Sequence, residues 1–157
     1  MIKIADLITP ERIVCDADIS SKKRGLELLS ELVAQRDASL QAGVVFNKLI
    51  SRERLGSTGL GHGVAIPHAR IEGIPSASAA FVKLTDGVDF DAFDQQPVDL
   101  LFSLVVPEHF TDEHLQILAR LAEMFSDTDF CRQLRDCSDA TSLHALLIHW
   151  DTSSQSG

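Results

Sequence analysis

The residues best suited to chemistry are concentrated in one stretch, Arg52-Glu53-Arg54-Leu55-Gly56-Ser57-Thr58-Gly59-Leu60-Gly61-His62-Gly63-Val64-Ala65-Ile66-Pro67-His68-Ala69-Arg70. Four glycines, two histidines, two hydroxyls, one proline and three arginines surround a very short apolar run, a mixture that suits neither an ordinary strand nor an ordinary helix. Glycine tolerates positive φ and lets other groups approach the backbone closely, so Gly56, Gly59, Gly61 and Gly63 point to a loop whose shape matters more than its packing. Val64-Ala65-Ile66 is long enough for one brief strand. Pro67 fixes its own φ, offers no N–H and biases Ile66 toward an extended conformation, so His68 leaves the strand in a defined direction with one ring nitrogen free to face outward.

A histidine presented in this way, with arginines nearby in sequence, suits nucleophilic attack on phosphorus. Neutral imidazole is a competent nucleophile near pH 7, and guanidinium matches phosphoryl oxygens bidentately. The sharpest chemical expectation is therefore a phosphohistidine at His68. The bland alternatives stay open at this level: His68 also suits a structural or surface histidine, with Gly63 and Pro67 merely shaping a turn. His62 and His68 match no compact metal motif, and no cysteine or carboxylate pair completes a site, so no metal is expected. His114 falls in the first turn of a predicted helix, where free N–H groups point at an anion, and is equally readable as an exposed helix start. Arg52 and Arg54 read as a solvated helix end, and His109, His144 and His149 as surface or boundary residues.

Composition bounds the rest. The 157 residues are 45% hydrophobic, with mean hydropathy near zero, which suits one globular domain over residues 1 to 150 followed by a polar tail, 151 to 157, expected to be disordered. A formal charge of −9 argues against nucleic acid or anionic membrane as a partner, because both need clustered Lys and Arg. No apolar run reaches the length of a membrane span and the first residues have no signal-peptide core, so a cytoplasmic protein is expected. Cys15, Cys131 and Cys137 are odd in number and lack CxxC spacing, as expected of reduced, mostly buried thiols.

The elements that must position the site follow from periodicity. A strand is expected at Arg12-Ile13-Val14-Cys15. A helix capped by Ser20 or Ser21 carries Leu26, Leu28, Leu29, Leu32 and Val33, and a second, starting near Ser39 with Leu40, Val44, Val45, Leu49 and Ile50, delivers the chain to Arg52. Ser76 to Thr85 reads as a strand, with Asp86-Gly87 as a hairpin turn and Val88 to Phe90 returning. Val98 to Val106, nearly all apolar and stopped by Pro107, reads as a central strand covered on both faces. Thr111 or Asp112 caps a helix with Leu115, Leu118, Leu121, Ala122 and Phe125 on one face. Short helices are expected over Phe130 to Arg135 and about Ser138 to Ile148. The fold class is α/β (α+β), a small mixed sheet flanked by helices.

The segment from Arg52 to His68 resembles the active-site signature of the fructose/mannitol-type enzyme IIA domains (EIIA type 2) of the phosphoenolpyruvate phosphotransferase system, and is most similar to their nitrogen-regulatory branch. Two further stretches carry the resemblance in the same order: Asp94-Gln95-Gln96-Pro97-Val98-Asp99-Leu100-Leu101-Phe102 with Val105-Val106-Pro107, and His114-Leu115-Gln116-Ile117-Leu118. The resemblance spans roughly residues 5 to 150 and implies a phosphotransferase/anion-transport-like sandwich. It implies that His68, after Ile-Pro, takes the phosphoryl group on Nε2, that His114 is a second active-site histidine, and that Arg52 supplies positive charge beside the phosphoryl group. In that arrangement Nδ1–H needs a local acceptor to fix the tautomer. Ala69 departs from the family, which commonly has Gly there.

By the same resemblance the donor is an HPr-like phosphocarrier (NPr) charged from phosphoenolpyruvate by an enzyme I, the transfer is in line between two imidazoles, and no cofactor is required. The Gly-Ser-Thr-Gly and Gln-Pro-Val-Asp-Leu-Leu-Phe segments, and the absence of IIB-like, IIC-like or membrane segments from these residues, favour a regulatory IIA acting on targets such as potassium-transport proteins or sensor kinases. The alternative is the IIA of a sugar transporter, passing the group to a IIB domain.

Overall fold

A computed structural model describes residues 3–36, 40–109 and 112–156, the last six by their backbone alone. The chain runs through helix α1 (Ile4–Leu7), a 3-10 turn (Pro10–Arg12), strand β1 (Ile13–Ala17), helices α2 (Lys22–Ala34) and α3 (Ala42–Leu55), and strands β2 (Gly59–Gly61), β3 (Val64–Ala65), β4 (His68–Ile71), β5 (Ser78–Val88) and β6 (Val98–Pro107). Helices α4 (Asp112–Ser126), α5 (Thr128–Asp136) and α6 (Ala140–Ser156) complete it. No helix among the described residues is long and apolar enough to cross a membrane.

The sheet is mixed and open. β1 runs parallel to β5, β5 antiparallel to β6, and β6 parallel to both β3 and β4, while β2 pairs antiparallel with β3. Side chains alternate across the pleat, so β5 and β6 feed two cores. Phe81, Leu100, Phe102 and Leu104 pack on one face with α1, α4, α5 and α6. Ala80, Val82, Leu101 and Val105 pack on the other with α2 and α3. The near-continuous apolar run of β6 is thus explained by burial on both faces, at about 1.5–3 kcal/mol for each large aliphatic side chain removed from water.

Ser21 caps α2, its Oγ accepting from the Arg24 N–H at 3.2 Å. The α3 start expected near Ser39 falls outside the described residues, and the helix itself begins at Ala42. Thr111 likewise lies outside them, and Asp112 is the first residue of α4.

Two expectations are corrected. Asp86-Gly87 makes no hairpin: β5 runs on to Val88, and the irregularity is a shift of register between Lys83 and Val88. Gly87 is needed there because a Cβ would sit 2.8 Å from the Cβ of Pro97. The buried stripe of α4 is rotated from the expected one: His114, Ile117, Leu121, Met124 and Phe125 face the core, whereas Leu115 is 54% exposed. Helix α6 spans Ala140–Ser156, so its bounds take in most of the 151–157 stretch expected as a polar tail. Of the thiols, Cys131 is buried and Cys15 and Cys137 are half-buried.

Candidate functional site

The site is assembled where α3 and the strand pair β3 and β4 meet the edge of β6. Val64 pairs with Leu100, Ala65 with Leu101 and His68 with Leu104, a single unbroken register. β3 and β4 are therefore one strand interrupted at Ile66-Pro67, where Pro67 supplies no N–H. The carbonyl of Pro67 still accepts from Leu104 N–H at 3.0 Å. His68 thus opens the second strand segment.

The half-buried His68 ring lies with Nδ1 2.8 Å from the Ile66 carbonyl oxygen. A carbonyl can only accept, so Nδ1 carries the proton and the lone pair is on Nε2. Burial pushes the His68 pKa down; the Ile66 hydrogen bond opposes it, the Arg52 charge adds to it, and Glu53 opposes it. The net direction favours the neutral, nucleophilic imidazole.

His68 lines a depression of about 400 Å³. From α3 it receives Lys48, Ser51, Arg52 and Leu55, which share one helix face by their spacing. Arg70 joins His68 from the same strand at the two-residue period that places both on one side of the pleat. Leu115 and Leu118 of α4 supply an apolar wall. The Arg52 guanidinium is tied back to the glycine loop by donating to the Gly56 carbonyl at 2.8 Å. In this arrangement a neutral imidazole faces a small basin with cations on its rim, which suits attack on an anionic phosphorus centre.

His68 and Arg52 are therefore brought together. His114 is 8% exposed and lines a neighbouring depression with Asp6, Arg36, Ser76, Pro107 and His109. His62 occupies the β2–β3 turn at φ 57° and lines a third depression with Asp99 and Arg135. Lys48, Ser51 and Arg70 were not singled out as site residues, although the helical spacing Lys48, Ser51, Arg52, Leu55 and the strand spacing His68, Arg70 carry the signal.

The family model described as "Phosphoenolpyruvate-dependent sugar phosphotransferase system, EIIA 2" matches residues 6–150. The chain belongs to this family. A Pseudomonas aeruginosa relative named nitrogen regulatory protein is 43% identical over 148 residues, covering 94% of this chain and 96% of its own. The crystal structure of nitrogen regulatory protein IIA-Ntr from Neisseria meningitidis superposes with a TM-score of 0.87 at 44% identity, covering 92% of this chain and 98% of that one. A Haloferax volcanii relative named PTS system fructose-specific EIIA component is 33% identical over 147 residues, covering 89% of this chain and 92% of its own. Membership accounts for the layered fold and makes the chain a phosphotransferase-system component similar to nitrogen regulatory proteins.

Proposed function

We propose that this EIIA-type chain accepts a phosphoryl group on Nε2 of His68 from an HPr-like phosphocarrier, and that its phosphorylation state governs binding to cytoplasmic regulatory targets. The observation that carries the reading is the 2.8 Å contact between Nδ1 and the Ile66 carbonyl, which leaves Nε2 as the nucleophile beside Arg52. The Nε2–P bond forms as the bond from phosphorus to the donor imidazole breaks. The protein's part is in-line positioning and cancellation of charge on the equatorial oxygens. Arg52 supplies that charge. His114, which lines the neighbouring depression, is assigned by the family resemblance to act with it when the donor docks.

The test is intact mass after incubation with phosphoenolpyruvate, enzyme I and an HPr-like carrier. The expected result is one acid-labile phosphoryl group on wild type and none on His68→Ala, with His114→Ala slowing transfer more than it weakens docking. Equal labelling of wild type and His68→Ala overturns the assignment. The similarity to a relative named as a fructose-specific EIIA component supports a second reading, delivery of the group onward to a IIB domain. Transfer from the phosphorylated protein to such a domain would favour that reading.

A further inference from the structure

Glu53 lies in the last turn of α3 next to Arg52, yet its side chain is buried in the protein and is only 3% exposed. A buried carboxylate is costly unless its oxygens are satisfied, and here they are. The Thr58 hydroxyl donates to Oε1, and the Thr58 N–H lies 3.3 Å from Oε1 and 3.4 Å from Oε2. Lys22 Nζ of α2 lies 2.9 Å from Oε2.

The contacts continue toward the imidazole. Thr58, held by Glu53 at its N–H and hydroxyl, accepts the Ile66 N–H on its carbonyl at 3.0 Å. Ile66, held by Thr58 at its N–H, accepts His68 Nδ1–H on its carbonyl at 2.8 Å. Because Pro67 has no N–H, the Ile66 carbonyl depends for its aim on the hydrogen bond made by Ile66 itself and on the Pro67 carbonyl bound to Leu104. Two residues in succession are each gripped at both ends, and the first grip is Glu53. The Lys22 end is anchored as well, with its ammonium 4.8 Å from the centroid of the Phe90 ring. Ser57, the neighbour of Thr58, donates to the Phe90 carbonyl at 2.9 Å.

We propose that Glu53 is a positioning residue for His68: through Thr58 and Ile66 it holds the ring in the Nδ1–H form with Nε2 toward the basin, and its negative charge counters that of Arg52 at the ring. This rests on the reading of His68 as phosphoacceptor, but it has a readout independent of transfer. A carboxylate that only braced the loop would leave the tautomer and titration of His68 alone once the protein was folded.

The experiment uses the full chain and Glu53→Gln, which keeps the side-chain length, removes the charge and turns an amide NH₂ toward Lys22. Thermal unfolding establishes folding, nitrogen-15 NMR reads the tautomer and titration of His68, and transfer from a phosphorylated HPr-like carrier is timed beside the carrier's affinity. The expected result is loss of Nδ1–H dominance, a His68 titration midpoint below that of wild type, and acceptance slowed about 10- to 100-fold by misplacement of the nucleophile, with carrier affinity nearly unchanged. A folded Glu53→Gln with wild-type tautomer, titration and rate overturns the proposal. Where that variant fails to fold, Thr58→Val removes only the hydroxyl contact. It is expected to slow acceptance about fivefold, the worth of one net hydrogen bond, and an unchanged rate and tautomer overturn the proposal equally. If wild type takes no phosphoryl group from any competent donor, the phosphoacceptor reading falls, and the tautomer and titration still decide the role of Glu53.

Discussion

At His68 burial competes with two favourable contacts of the imidazolium, the Ile66 carbonyl and the Glu53 charge, while Arg52 sides with burial. The net direction is below the ordinary histidine value of 6.5, so more than half of the ring is neutral at that pH. Only the neutral ring offers a lone pair on Nε2, and protonation removes it. The rate of phosphoryl acceptance, followed against pH with a donor in excess, should therefore fall to half its plateau value only below pH 6.5. A midpoint at or above 6.5 would show that the cation is the favoured form. His68 was legible in sequence because its nearest constraints are local: Pro67 adjoins it and the carbonyl that accepts from Nδ1 is two residues back, whereas the Thr58 and Leu104 contacts that steady this segment come from the fold. Lys48 and Arg70 were less legible, since only the packing of α3 over β4 brings them to one basin.

The elements around the site show how glycine spacing becomes geometry. Gly61, His62 and Gly63 hold φ of 92°, 57° and 80°, the left-handed values that a tight β2–β3 turn requires. His62 N–H donates to Asp94 Oδ2 at 3.0 Å. Arg135 of α5 clamps the turn, donating to the His62 carbonyl at 2.7 Å and to both oxygens of Asp99. A Cβ at Gly63 would lie 2.6 Å from Arg135 Nη2 and 2.9 Å from Asp99 Oδ1. Gly63→Ala combines that clash with an unfavourable φ, so its unfolding free energy should fall by about 2 kcal/mol or more, readable by urea denaturation. A loss within a few tenths would mean that the clamp yields freely. Asp86-Gly87 shows the limit of the same logic. A turn dipeptide marks a place where the chain must bend, and whether it bends into a hairpin or a bulge depends on the partner strand, here on Pro97 crowding Gly87.

Across the whole molecule the formal charge is −9, while Lys48, Arg52 and Arg70 gather around one basin. A phosphoryl group brings about −1.5 to −2 charges at pH 7, enough to cancel half or more of the three positive charges there and change what that face attracts. Binding of a regulatory target, measured by calorimetry against the unmodified and the phosphorylated protein, should differ by at least about tenfold, or 1.4 kcal/mol. Equal affinity and equal target activity for the two forms would remove the switch from the proposed function.

By itself the sequence determined what is local or repetitive: the doubly buried strand β6, a serine cap at Ser20 or Ser21, the glycine-rich loop and the histidine aimed by its proline. The order of its motifs also determined the family, because Arg52 to His68, Asp94 to Pro107 and His114 to Leu118 recur there in the same succession. Tertiary structure alone decided the rest. The continuous register of β3 and β4 along β6, the inward turn of Glu53 onto Thr58 and Lys22, and the rotation of α4 that buries His114 and exposes Leu115 join residues far apart in the chain. Their physical reason is shared: each depends on which faces of two layers meet across the sheet, and periodicity defines a face without saying what will cover it.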